Sequence, residues 1–213
     1  MQDALGQLVD TPQLLALAAA LGWVSGFRLY AAVFITGAAG WMGWVELPQG
    51  LHLLQHPAVL AASGFMLFVE FFADKIPFLD SMWDAVHTVI RIPAGAALAA
   101  GALGADSQAM AWIAALLGGG LAATSHATKM TTRAAVNTSP EPFSNVAVSL
   151  AEDGLVVFML WLSAAHPVAF AIVLLVSIVL AIVLLVVLVR FLRTVLRGLN
   201  EFFKGRPLPR ELG

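Results

Sequence analysis

The sequence predicts an all-α integral membrane bundle of about six spans, on three observations. The 23 residues from Pro167 to Val189 carry no charge, and a bilayer core needs about 20 such residues in helical form. Hydrophobic residues make up 60% of the chain and charged residues 11%. Ordinary globular chains carry roughly 25% charged residues, so the deficit is general rather than confined to one segment. Lysine and arginine also sort onto alternate connections between apolar stretches, as cytoplasmic loops do.

The 213 residues leave room for one integral domain, assigned to residues 1–190, and a basic cytoplasmic tail, 191–213. A net charge of −2 gives no sign of a nucleic-acid partner, and none is expected. The absence of cysteine excludes a disulfide, a thiolate metal site and a cysteine nucleophile. Asp3 and Asp10 stand where a cleaved signal peptide would carry basic residues, so the first span is expected to be retained.

The first apolar stretch runs from Gln13 to about Trp44 and is interrupted by Ser25-Gly26 and by Arg28. That pattern suggests a broken helix. The second stretch is Pro57 to about Ala73. The third, Pro93 to about Ala105, reaches only about 20 Å as a helix, so it must begin earlier, near Thr88, or be re-entrant. The fourth is Gln108 to about Thr124, the fifth Val146 to about Ala164, and the sixth ends at Val189.

The connections after spans one, three and five (Val45–His56, Asp106–Ser107, Ala165–His166) contain no Lys or Arg. Those after spans two and four hold Lys75, Arg91, Lys129 and Arg133, and the tail holds Arg190, Arg193, Arg197, Lys204, Arg206 and Arg210. With six spans and both termini cytoplasmic, every basic side chain except Arg28 falls inside. Arg190, Arg193 and Arg197 share one helix face, and anchoring to anionic headgroups is their expected role.

Arg28 sits inside an apolar stretch, where a charge costs about 2.5–3.5 kcal/mol on insertion scales. It therefore needs a partner, and Glu70 or Glu152 is the preferred one. It is either a structural lock between helices or part of a site. Two polar segments accompany it. In the first, Asp80, Asp84, His87 and Arg91 fall at i, i+4, i+7 and i+11, one stripe of a helix capped near Asp80. Asp80, Asp84 and His87 could hold a divalent cation, and the alternative is an amphipathic helix lying at the interface. In the second, His126, Lys129 and Arg133 share a face that could bind an anion or could neutralise Glu141 and Asp153. A polar loop follows from Asn137 to Asn145. Ser25-Gly-Phe-Arg28 is faintly echoed by Ser125-His-Ala-Thr-Lys129, which admits an inverted three-plus-three repeat.

The strings Ser25-Gly-x-Arg28-x-Tyr30, Glu70-Phe-x-Ala-Asp74-Lys75-Ile-Pro77, Asp80-Ser-x-Trp83-Asp84-x-x-His87-Thr88 and Thr132-Arg133-x-x-x-Asn137-Thr138-Ser139-Pro140-Glu141-Pro142-x-Ser144-Asn145 resemble a bacterial multi-pass membrane family. That family is catalogued as a domain of unknown function, number forty-one twenty-six. The resemblance covers about residues 15 to 165, with the sixth span and tail looking like an addition. It implies a bacterial inner-membrane protein and supplies no reaction or substrate.

The expected function is transport or conduction of a small anionic or lipid-linked solute. Ser25, Arg28, Glu70, His126, Lys129, Arg133, Asn137 and Glu152 are the expected binding residues. The alternatives are an enzyme acting on a lipid headgroup, helped by a divalent cation at Asp80, Asp84 and His87, and a non-catalytic scaffold. No catalytic string stands out, so an enzyme is the less expected class. The small-residue stretches Ala94–Gly104 and Gly118–Ala123 allow close helix approach within a protomer or in a homo-oligomer.

Overall fold

The structure, a computed structural model, describes residues 2–104, 108–138 and 142–203. The connection Asp106–Ser107, residues Ser139 to Glu141 of the polar loop, and Lys204, Arg206 and Arg210 of the tail lie outside the described residues. The elements are α1 (Gln2–Trp41), a short 3-10 helix (Gln49–Gln55), α2 (Pro57–Ala73), α3 (Leu79–Leu103), α4 (Gln108–Val136), α5 (Pro142–Ala165) and α6 (Pro167–Phe203). Among the described residues five helices are long and apolar enough to cross a membrane. The count is six if the short helix and α2, which meet at 68°, make one crossing.

Local chemistry sets several of the boundaries. α2 opens with proline at its first position, where the missing N–H is no loss, and His56 Nδ1 accepts the Ala58 N–H at 3.2 Å. α3 ends on Gly104 in the left-handed conformation (φ 53°), as helix ends often do. The expected start of the third span near Thr88 is replaced by a start at Leu79, and the helix continues through Pro93. The reason is that its charged stripe and its small-residue stripe form one face. Asp80, Asp84, His87 and Arg91 lead directly into Gly95, Leu98, Ala99 and Ala102, and all are buried.

That face packs against α1 and α4 at backbone distance. A Cβ on Gly22 would stand 2.8 Å from Gly118 Cα, one on Gly118 2.3 Å from Ala99 Cβ, and one on Gly26 1.9 Å from Ser125 Oγ. Small residues let membrane helices approach this closely. The contacts Gly22–Gly118, Gly26–Ser125 and Phe27–Lys129 advance together along α1 and α4. The two segments that echo one another therefore run parallel.

Inside α1, Arg28 departs from helical geometry (φ −145°, ψ 79°), and the helix kinks there. Neighbouring contacts set the direction of the bend. The arm before Arg28 runs antiparallel to α3, with Gly22 and Ser25 beside Gly95 and Gly26 beside Arg91. Just past the kink, Tyr30 meets His87. Gly101 lies fourteen residues from His87 on α3, about 21 Å away. A straight α1 would carry Gly37 about 10 Å farther still from Gly101. Yet Gly37 packs on Leu54, and Gly50 packs on Gly101. Both belong to the short helix, which places Gly37 and Gly101 within about 20 Å. The second arm of α1 therefore turns back toward the end from which the first arm came, alongside α2, where Gly64 packs on Phe34.

The bend interrupts the apolar stretch Gln13 to Trp44 at Arg28. Pro12 and Pro167 line the same apolar cavity of about 600 Å3, so α1 begins, and α6 starts, at the same end of the bundle. α6 then runs along α1 and α4, through Leu174 and Ala181 in the core, toward the opposite end.

The close contacts predict that Gly26→Ala lowers stability by about 1–3 kcal/mol. Gly120→Ala, which meets open space, should change it by about 0.5 kcal/mol or less. Denaturant titration in detergent micelles measures both.

Candidate functional site: a buried charge network at the bend of α1

The kink leaves the last carbonyls of the first arm without their helical partners, and polar and charged side chains from α3 and α4 take them over. Phe27 O accepts from Lys129 Nζ at 3.1 Å. Gly26 O lies 3.5 Å from Arg91 Nη1 and 3.2 Å from His126 Nδ1. Trp23 O accepts from Ser125 Oγ at 2.7 Å. Cations at a helix C-terminal end also suit its dipole.

Arg28 itself pairs with Asp74 at 2.9 Å and Asp153 at 3.0 Å, and donates to Ser149 Oγ at 2.9 Å. Its expected partners, Glu70 and Glu152, are taken by other cations. Glu70 receives Arg91 at 2.5 Å and Glu152 receives Arg133 at 2.7 Å. Asp74, one turn past Glu70, stands in the turn after α2 and reaches the bend first.

From Asp74 the network spreads. Lys129 binds it at 2.6 Å and also reaches Asp84 at 3.2 Å and Glu152 at 3.8 Å. Arg91 bridges Glu70 and Asp84, the latter at 2.7 Å. Arg133 donates to the carbonyls of Asp74 and Asn145 and lies 3.8 Å from Asp80. Asp80 accepts from Asn137 Nδ2 at 3.0 Å, and Asn145 Nδ2 donates to Asn137 Oδ1 at 2.8 Å. The ends of the polar loop are thus tied into the site.

Burial raises the Asp74 carboxyl, but Lys129 and Arg28 outweigh it and hold the group below its usual range. Burial pushes the adjacent Lys75 ammonium down, against the pull of Asp153. Lys75 stands at the rim, its Nζ 3.0 Å from the centre of the Phe71 ring.

Of the residues expected to bind a solute, Arg28, Glu70, His126, Lys129, Arg133, Asn137 and Glu152 all belong to this network. Ser25 does not, because its hydroxyl turns back to the carbonyl of Leu21. Of the three expected metal ligands, Asp84 is held by Arg91 and Lys129, Asp80 by Asn137, and His87 by Tyr30 and the stacked Trp83 ring. Among the described residues no group of three or more His, Cys, Asp or Glu could hold a metal ion.

Arg91, Asp74, Asp153, Asn145 and Ser149 also belong to the network and were not among the expected site residues. The i, i+4 spacing of Glu70 and Asp74 was the available signal for Asp74. No signal pointed to Ser149.

Among the described residues the fully or nearly buried guanidinium and ammonium groups are Arg28, Arg91, Lys129 and Arg133. Five carboxylates face them: Glu70, Asp74, Asp80, Asp84 and Glu152. The half-open Lys75–Asp153 pair at the rim cancels.

An all-helical bundle with these apolar spans and this ionic interior defines a multi-pass membrane protein. The chain belongs to the family of the domain of unknown function DUF4126, which it matches over residues 15–187. The match takes in most of the sixth span, which is therefore part of the family domain rather than an addition to it. Neither the curated proteins nor the solved structures give a match.

Because Arg133 serves Glu152, Asp74 and Asn145 together, Arg133→Ala should lower stability by about 3–5 kcal/mol. Lys75→Ala, at the open rim, should cost about 1 kcal/mol or less. Thermal unfolding of both variants in one detergent gives the comparison.

Proposed function

We propose that the protein is an ion-coupled membrane transporter whose working element is the bend of α1 and the charges gathered around it. The observation that carries this is the burial, among the described residues, of four guanidinium or ammonium groups, five carboxylates and the imidazoles of His87 and His126 around a helix break in a membrane bundle. Ionisable residues at such positions mark ion or substrate pathways. Discontinuous helices whose freed carbonyls point inward are a recurring way to build a transport site.

The network changes the sign of the expected solute. Every buried guanidinium and ammonium among the described residues already faces carboxylates, and the carboxylates outnumber them by one. The site therefore favours a proton or a small cation over an anion. The same engagement argues against the headgroup enzyme, which needs Lys129 and Arg133 free for a phosphate.

Orientation follows from the positive-inside rule. With α1 folded back, Arg28 joins Lys75, Arg91, Lys129, Arg133 and the basic end of α6 at one end of the bundle. That end faces the cytoplasm of a bacterial inner membrane in this reading, and the N-terminus faces outward. The bilayer covers the exposed apolar faces of α5 and α6. Asp153 gives the network an edge, because it lines a groove of about 370 Å3 shared by α1, α2 and α5.

The test uses Asp153→Asn, which removes charge at this half-open edge while Asp74 and Ser149 still hold Arg28. In proteoliposomes on a solid-supported membrane, a pH or cation jump should drive charge movement in the native protein. The variant should fold normally and lose about tenfold or more of the rate, equivalent to 1.4 kcal/mol or more of barrier. Equal currents in the two proteins, or none beyond those of empty liposomes, would count against transport.

A further inference from the structure

We propose that the buried network holds one exchangeable proton and that Glu70 is the side chain that carries it. The inference deepens the transport reading, on which the use of the proton rests. Occupancy by the proton stands on the charges alone. Among the described residues four buried guanidinium and ammonium groups meet five buried carboxylates, beside the buried imidazoles of His87 and His126, and the rim pair Lys75–Asp153 adds nothing to the sum. A buried charge without compensation neutralises itself by taking a proton, because desolvation penalises the charged form.

The geometry distinguishes the five acids. Asp74 faces three cations, Arg28, Lys129 and Arg133. Asp84 faces Arg91 and Lys129, and Glu152 faces Arg133 and Lys129. Asp80 lies farther from Arg133 but accepts from Asn137 Nδ2 and the Ser81 N–H. Glu70 has one cation in contact, Arg91, and shares it with Asp84. Its second oxygen, Oε2, is fully buried and has no hydrogen-bond partner among the described residues. Beyond Arg91 on α3, the charged and titratable groups that act on it are Lys129 on α4, Arg28 and Tyr30 on α1, and Asp74 at the end of its own helix. Among the five, Glu70 alone combines a single, shared cation with a buried oxygen that has no partner among the described residues.

Asp84 Oδ2 is likewise without a partner. When Glu70 releases its proton, Arg91 can lean toward Glu70 while Asp84 keeps Lys129. Proton loading thereby alters the contacts between α2 and α3, next to the bend of α1.

Infrared difference spectroscopy of the full chain in nanodiscs, between acid and alkaline buffer, tests this directly. The expected result is a protonated-carboxyl band that disappears at high pH, is absent in Glu70→Gln and persists in Asp80→Asn. Glutamine has the shape and neutrality of protonated glutamate, so Glu70→Gln should fold. Its failure to fold would contradict the proposal, as would a band that survives in it. Absence of the band, with melting temperature rising saturably in sodium chloride, would assign the missing charge to a sodium ion and overturn the proton. A Glu70 band in a protein that moves no charge would uphold this inference while the transport reading fails.

Discussion

Asp74 is the carboxylate on which the interior depends. Through it Arg28 of α1 and Lys129 and Arg133 of α4 are held in one place, and each of those cations reaches a further acid. A bilayer offers no water to solvate stray charges, so the polar groups of the apolar helices must collect in one cluster or leave the membrane. Here they collect. The cluster also explains why α1 does not continue straight. Arg28 can satisfy Asp74 and Asp153 only where the helix opens, and the carbonyls released there are the ones that Arg91, His126 and Lys129 need.

The packing and the chemistry are two parts of one face. On α3 the charged residues occupy the first half of the buried stripe and the small residues the second. Gly95, Gly118 and Gly22 bring three helices to backbone distance, and that approach lets side chains from α1, α3 and α4 share the same acceptors a few residues away. Loosening the small-residue layer would lengthen the ion pairs. Removing one charge would leave its neighbours buried and unpaired, the costly way to break such a network.

Much of the architecture was legible in the sequence, because hydropathy acts locally. The second span, Pro57 to Ala73, stands where its apolar run and flanking residues place it. The stripe Asp80-Asp84-His87-Arg91 is a single helix face, as its spacing says. The third span came out short because the charged stripe reads as amphipathic and interfacial until its partners are known. Arg28 was legible as an anomaly, but its partners were not, since Glu70, Asp74, Glu152 and Asp153 are all carboxylates and only the turn after α2 chooses among them. The fold-back was the least legible feature. It depends on one residue's dihedrals and on contacts between Gly37, Leu54, Gly50 and Gly101, which no periodicity encodes. Once it is seen, the one basic residue that broke the charge pattern falls into line with the rest.

The folded-back α1 carries the whole account, and the absence of cysteine makes it directly measurable. Spin labels at Leu15→Cys and Trp41→Cys, both on exposed positions, report the distance between the two arms by pulsed electron resonance in nanodiscs. Twenty-six residues of straight helix would separate them by about 39 Å. The account predicts a distance well below that, with a narrow distribution. A distance near the straight-helix value would contradict it, and with it the shared location of Arg28 and the buried carboxylates.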